Sequence, residues 1–308
     1  MISRLIAIAL SLLLATIVSA ADTPAIEIGK TVVKVPIGKG MSLDDAALYL
    51  MEEAENQGIQ QIAHSALYEE YEALGLSNIR HTEIFLFDED VKLTKTLIEH
   101  DISYAAHIPC RVGLIEDPLG KGWFVMMNPT IFGASSLPPD LQQQSGKTCG
   151  NLMKIIGASS VALCANNPSM DIAETAIKMQ IAEDVSIDDA IESLLLRAND
   201  LNVKKVSHQI LTDKYQELGL PNIRRIEIFQ FCDAALAQKM LEHEIGYIAY
   251  MPCRIVMLED KEGKGWFVMV NMDTLIAWGK MPPLLHRQAI ELRDKLMESL
   301  EAGVNGEL

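Results

Sequence analysis

Two cysteines, Cys110 and Cys253, lie in the same local sequence, Pro-Cys-Arg. A neighbouring cation lowers the pKa of a thiol, so this arrangement could activate a thiolate for redox chemistry. Adjacent side chains on a strand point to opposite faces, which directs Arg111 and Arg254 away from the sulfur atoms beside them. The pattern therefore also fits an inert cysteine buried in a core, where cysteines are common. The sequence leaves both interpretations open.

The five cysteines also allow disulfides if the chain reaches an oxidising compartment. Cys149 and Cys164 would close a loop of about 15 residues, worth roughly 3 kcal/mol. Cys232 and Cys253 form a second candidate pair, which would leave Cys110 as the odd thiol. The sequence contains no C-x-x-C or C-x-x-C-H motif, so thioredoxin-like chemistry and covalent haem attachment lack their usual signatures.

A histidine and a glutamate recur at equivalent positions, as His64 with Glu83 and as His208 with Glu227. If these side chains converge with the cysteines above, they could bind a metal ion or a small polar ligand. The simpler interpretation is a core histidine with one hydrogen bond and a glutamate paired with a basic neighbour. Noncovalent haem is a further candidate because histidine and methionine are abundant, although no spacing selects particular ligands.

The segments that carry these residues occur twice in the chain. With an offset of 144, residues 41–87 match a second segment at 19 of 47 positions. With an offset of 143, residues 99–128 match at 18 of 30 positions. A repeat of this length predicts a duplicated domain rather than a solenoid unit. The two copies could imitate a dimer within one chain.

Strand-like and helical patterns alternate within each copy. Apolar alternation predicts strands, and Ser42 is a typical N-cap for a helix that starts at Leu43. Each copy ends with Pro-Pro and a helical segment, which in the first copy is predicted over residues 140–156. We predict an α+β fold with a sheet packed against helices, in tandem copies at residues 31–156 and 176–308, with a linker at 157–175.

The N-terminus has the composition of a cleaved export signal. Arg4 precedes an apolar run that ends in Val18-Ser19-Ala20, which predicts cleavage after Ala20 and a periplasmic location. The apolar run is shorter than the roughly 20 residues of a membrane span, so we expect no span after cleavage. The formal net charge of −16 argues against a nucleic-acid partner, because phosphate backbones attract clustered lysine and arginine.

Several motifs together resemble the domain of unknown function 302 family. They are Phe229-Gln230-Phe231-Cys232-Asp233, Ala249-Tyr250-Met251-Pro252-Cys253-Arg254-Ile255, Asn271-Met272-Asp273 and the closing Gly306-Glu307-Leu308. The first copy resembles the same family but has Asp88 and His107 in place of Cys232 and Tyr250. The resemblance implies a compact α+β domain that often forms dimers. It implies no established activity and no catalytic residue.

Two classes of function follow from the sequence, beside a purely structural interpretation in which the cysteines and histidines are buried and there is no cavity. The first is a periplasmic binding or accessory protein that holds a small ligand, a metal ion or a protein partner in one copy or at the junction of the copies. The second is a thiol-dependent redox enzyme that uses Cys110 or Cys253. We favour the first class, because the absence of a catalytic motif counts more strongly against an enzyme than against a binding protein.

Overall fold

The computed structural model describes residues 26–131, 137–145, 149–158, 170–220 and 222–307. The predicted export signal at residues 1–20 and Cys164 lie outside these ranges. Within them, the chain forms two five-stranded antiparallel sheets, with strand orders β1-β5-β4-β3-β2 and β6-β10-β9-β8-β7. The predicted α+β class is confirmed. The first sheet comprises β1 Val32–Pro36, β2 Gln60–Ala66, β3 Thr82–Asp88, β4 Cys110–Glu116 and β5 Gly122–Met127. The second comprises β6 Ala176–Gln180, β7 Lys204–Ile210, β8 Ile226–Cys232, β9 Cys253–Glu259 and β10 Gly265–Val270.

Helices connect the strands in the same order in both copies. The first copy contains α1 Leu43–Asn56, α2 Leu67–Ala73, α3 Val91–His100, α4 Pro139–Ser145 and α5 Gly150–Ile155. The second contains α6 Ile187–Asp200, α7 Leu211–Glu217, α8 Ala234–His243, α9 Met272–Trp278 and α10 Pro283–Asn305. Ser42 and Ser186 cap α1 and α6 by accepting hydrogen bonds from the backbone N–H groups of Asp45 and Asp189. The sequence therefore starts both helices by the same local interaction.

The end of the first copy differs from the sequence prediction. A single helix over residues 140–156 is wrong, because α4 and α5 are separate there. Cys149, at the N-cap of α5, has a left-handed backbone conformation with φ of 63°, which a continuing helix does not allow. The second copy keeps one helix of 23 residues at this place.

The central strands of each sheet, β3 and β4 in the first and β8 and β9 in the second, are buried on both faces. Phe85 and Phe87 of β3 face a core that contains Leu50 of α1. The alternate residues Ile84 and Leu86 face the second copy and share a core with Ile248. Alternation of side chains along β3 thus divides it between an internal core and a junction core. The copies are therefore held together by contact between an apolar face of the first sheet and apolar residues of the second copy.

Equivalent contacts cross the junction in both directions. Tyr250 donates a hydrogen bond to Thr31, and His107 lies 2.8 Å from Thr175. The other reciprocal pairs are Lys34 with Glu244 and Lys178 with Asp101, and Tyr71 with Cys232 and Tyr215 with Asp88. Arg111 and Arg254 also donate across the junction, but to carbonyl groups that are not equivalent, those of Ala249 and Pro109. The two copies are therefore arranged as a dimer with approximate twofold symmetry within one chain.

None of the helices in the described ranges combines the length and the apolar composition that crossing a membrane requires.

Candidate functional site

The buried glutamate of β3 lies at the centre of a polar cluster in the first copy. Strand β2 pairs with β3 so that Ala66 lies opposite Glu83 and His64 opposite Phe85. The Nε2 atom of His64 is 2.5 Å from Oε2 of Glu83. The Glu83 side chain is 7% exposed and that of His64 is 34% exposed. Two of the candidate residues, His64 and Glu83, are therefore in direct contact in the structure.

A second histidine reaches the other oxygen of the same carboxylate. His81 lies two residues before Glu83, so their side chains lie on the same side of the extended chain. Its Nε2 atom contacts Oε1 of Glu83. Sequence reasoning missed His81, although the spacing His81-Thr82-Glu83 on a predicted strand was the signal that could have revealed it.

Aromatic rings hold both imidazoles in place. The His64 ring stacks on Phe85 with 4.4 Å between centroids and 6° between planes. The His81 ring stacks on Tyr68 at 4.6 Å. Because each ring is fixed by a neighbour, the Nε2 atoms stay directed at the two oxygens of Glu83. Phe85 thereby links the predicted His-Glu pair to the core beneath it.

The environment keeps Glu83 ionised. Burial acts to raise its pKa, but hydrogen bonds from His64 and His81 outweigh burial and lower the pKa to about 2. Glu83 is therefore a carboxylate with two acceptor oxygens at neutral pH.

An exposed carboxylate completes the cluster. Asp44 lies in the first turn of α1, and ligand atoms of Asp44, His81 and Glu83 lie within 4.8 Å of one another. Two carboxylate oxygens and an imidazole nitrogen are a ligand set for zinc and other divalent transition metals. His64 contacts the second oxygen of Glu83. Groups that hydrogen-bond to a metal-ligating carboxylate in this way orient it towards the ion. We refer to Asp44, His64, His81 and Glu83 as the Glu83 cluster.

The second copy builds the same cluster with one substitution. His208 lies 2.7 Å from Oε2 of Glu227 and stacks on Phe229. Arg225 takes the place of His81, with Nε at 2.5 Å from Glu227 and Nη1 at 2.7 Å from Asp188. A guanidinium from the chain thus bridges the two carboxylates that correspond to Asp44 and Glu83. The second copy contains its own cation where the first copy has a histidine.

The cysteines form a different pattern from the one expected. Cys149 is bonded to Cys110, with 5.9 Å between the Cα atoms, so the expected Cys149–Cys164 pair and a free Cys110 are wrong. Cys232 and Cys253 are free, so the other expected pair is also absent. The physical reason for the first correction is proximity, because β4 and the start of α5 pack in the same core.

The cysteines that the structure describes do not join the histidines and glutamates. On β3 and β4, Cys110 lies opposite Phe87, whereas Glu83 lies opposite Leu114 at the other end of the strand pair. Burial raises the pKa of Cys232 to about 12 and that of Cys253 to about 11. A redox nucleophile needs a lowered thiol pKa, so neither free cysteine has the environment of one.

Fold and clusters together define a duplicated α+β protein whose two copies form an internal pseudo-dimer. A family model described as "Domain of unknown function DUF302" matches residues 33–158 and again residues 177–303. The chain therefore belongs to the DUF302 family. Among solved structures it is similar to the "uncharacterized conserved protein DUF302 from Bacillus stearothermophilus", with 19% identity and a TM-score of 0.36. That similarity covers 42% of this chain and 97% of the other. No curated protein matches this chain.

Proposed function

We propose that this protein is an exported binding protein whose first copy holds one divalent transition-metal ion between Asp44, His81 and Glu83. The comparison between the two copies carries the proposal. Asp188 and Glu227 are bridged by Arg225 in the second copy, whereas the equivalent acids in the first copy flank a histidine. The other residues of the two clusters are the same, but His81, which can bind a metal ion, stands where the second copy has the cationic Arg225. We infer that a metal ion supplies, between Asp44 and Glu83, the positive charge that Arg225 supplies in the second copy.

The properties of the three ligands support a metal ion that exchanges with solvent. Glu83 is buried and held from behind by His64, which fixes the direction of its free oxygen lone pairs. Asp44 is exposed, so the cluster opens towards water. Three protein ligands leave at least one coordination position for water or a small ligand. This arrangement suits a binding protein, and it also suits delivery of the ion to a partner.

Export is part of the proposal and rests on two observations. The N-terminal charge and apolar pattern is that of a cleaved signal. A disulfide between Cys110 and Cys149 is typical of proteins that work in an oxidising compartment. The periplasm is such a compartment.

The test is metal binding by the full chain after treatment with a chelator. Isothermal titration calorimetry and elemental analysis after dialysis should give one Zn²⁺ per chain. Co²⁺ should add visible absorption bands that report its coordination. The informative variant is His81→Arg, which copies the second cluster into the first and should fold for that reason. It should lose Zn²⁺ binding. The matched control, His208→Ala, removes the equivalent of His64 and should keep one Zn²⁺ per chain.

Two results would refute the metal proposal. One is a wild-type chain that binds no Zn²⁺ or Co²⁺ above a buffer blank. The other is a His81→Arg variant that binds Zn²⁺ as tightly as the wild type. Fractionation of cells that express the full chain tests export separately, since cytoplasmic retention of an uncleaved chain contradicts only that part.

A further inference from the structure

Each copy contributes one buried arginine to the junction, and each of these arginines points towards the opposite copy. Arg111 of β4 and Arg254 of β9 are equivalent residues, and they are only 8% and 3% exposed. Arg111 donates a hydrogen bond to the carbonyl oxygen of Ala249 at 3.2 Å. Arg254 donates to the carbonyl oxygen of Pro109 at 3.4 Å. Each guanidinium is thus positioned by backbone of the opposite copy.

Within the described part of the chain, neither guanidinium has an acidic partner. No carboxylate is among the groups whose charge shifts the pKa of Arg111 or Arg254. The Nε atoms of both arginines are buried without a hydrogen-bond acceptor. Burial lowers the pKa of Arg254, and the charge of Arg111 lowers it further. Two buried like charges without a counterion cost several kcal/mol, so the junction as built favours an anion.

The same arginines line two adjoining spaces. A cavity of about 20 Å³ lies between Arg111, Arg254, His107 and Tyr250. A second chamber of about 50 Å³ also includes both arginines, and the rest of its wall is mostly apolar, with the polar side chains of Asp233, Tyr247 and Tyr250 among it. The Asp233 carboxylate accepts a hydrogen bond from the backbone N–H of Leu236 at the start of α8. One water needs on the order of 10–15 Å³ of such space, so the two spaces fit a molecule of a few heavy atoms. Its charged end belongs at the arginines and its apolar end in the chamber.

His107 and Tyr250, which also line the small cavity, carry no charge that would compete with the arginines. Burial, together with the charges of Arg254 and Arg111, lowers the pKa of His107 to about 3, so the imidazole is neutral and does not add to the positive charge. Tyr250 uses its hydroxyl hydrogen on Thr31. The arginines are therefore the only charged groups of the small cavity, among the described residues that line it.

We propose that Arg111 and Arg254 bind the carboxylate of a short-chain aliphatic acid at the junction of the two copies, with its hydrocarbon chain in the adjoining apolar chamber. Arginine is suited to this role because its planar N–H groups match the two oxygens of a carboxylate. The chamber wall includes the partly exposed Leu275 and Met281, which lie between it and solvent. This site is separate from the Glu83 cluster.

The test is calorimetry and thermal unfolding of the full chain with sodium butyrate, in the presence of a chelator so that the metal cluster does not contribute. Butyrate should bind once per chain and raise the unfolding temperature. Butylamine and sodium chloride at the same ionic strength should not. Arg111→Met should weaken butyrate binding by at least about tenfold, because one partner of a buried charge pair is removed.

A second variant keeps the proposal testable if Arg111→Met does not fold. Leu275→Trp fills the outer part of the chamber and leaves both arginines in place. It should reduce binding of butyrate while retaining that of acetate, which is shorter. The proposal is overturned if butyrate does not bind the wild type, if chloride competes with it at equal concentration, or if Leu275→Trp affects acetate and butyrate equally.

Discussion

Removal of the Cys110–Cys149 disulfide should destabilise the first copy strongly. The bond joins residues separated by 39 positions in the sequence. In the chain-entropy account, opening a loop of that length restores conformational freedom to the unfolded chain worth about 4 kcal/mol. Cys149→Ser should therefore lower the free energy of unfolding by about that amount. Cys149 is the better choice because Cys110 is more deeply buried, at 2% against 8% exposure.

Equilibrium unfolding in guanidinium chloride, followed by far-ultraviolet circular dichroism, measures this effect. The midpoint for Cys149→Ser should fall below that of the oxidised wild type. Reductant should move the wild type to the same lower midpoint and should leave Cys149→Ser unchanged. Cys253→Ser is a control, because Cys253 is the second copy's equivalent of Cys110 and is free. That variant should still respond to reductant.

Alkylation under denaturing, non-reducing conditions supplies an independent check. Mass spectrometry should find Cys232 and Cys253 labelled and Cys110 and Cys149 protected. The reasoning is refuted if all four are labelled, or if oxidised wild type and Cys149→Ser share one midpoint. A reductant effect of equal size in Cys149→Ser would show that another bond is responsible.

Three further outcomes are expected. Arg225→His should raise Zn²⁺ binding from one to two ions per chain in dialysis, and an unchanged value of one would contradict the equivalence of the two clusters. Burial raises the pKa of Asp88 more than hydrogen bonds from Tyr215 and Thr94 lower it, so the folded state favours its protonated form and loses stability as pH rises through that pKa. Asp88→Asn should therefore raise the unfolding temperature near neutral pH and lose this advantage in acid; a constant difference across pH would exclude Asp88 as the cause. A Cβ at Gly113 would lie 2.7 Å from the Ile248 side chain, so Gly113→Ala should cost about 1–3 kcal/mol in chemical unfolding, and strictly additive costs on combination with Ile248→Ala would show that the two residues do not interact.

Much of the local architecture follows from the sequence. The cap of α1 depends on residues close together in the chain, and the duplication shows as residue identities at a nearly constant offset. The apolar run Ile84-Phe85-Leu86-Phe87 also predicts a strand. These features are readable because turn, cap and strand propensities act over a few residues.

The candidate site was only half predictable. His64 with Glu83 and His208 with Glu227 were identified by their repetition. His81 and Asp44 were missed as ligands, because their role depends on how the first turn of α1 packs beside β3. No local pattern specifies that distance.

The sequence by itself determined that this protein consists of two copies of one α+β domain. Only the tertiary structure decided which residues of the two copies meet. Residues of β3 are buried throughout, so periodicity does not show that Ile84 faces the opposite copy while Phe85 faces α1. The same holds for Cys110, which pairs with Cys149 through packing of β4 and α5. The Cys110–Cys149 disulfide, the Glu83 cluster and the arginine junction all join residues distant in sequence. Their proximity is fixed by burial of apolar faces between the copies and within them.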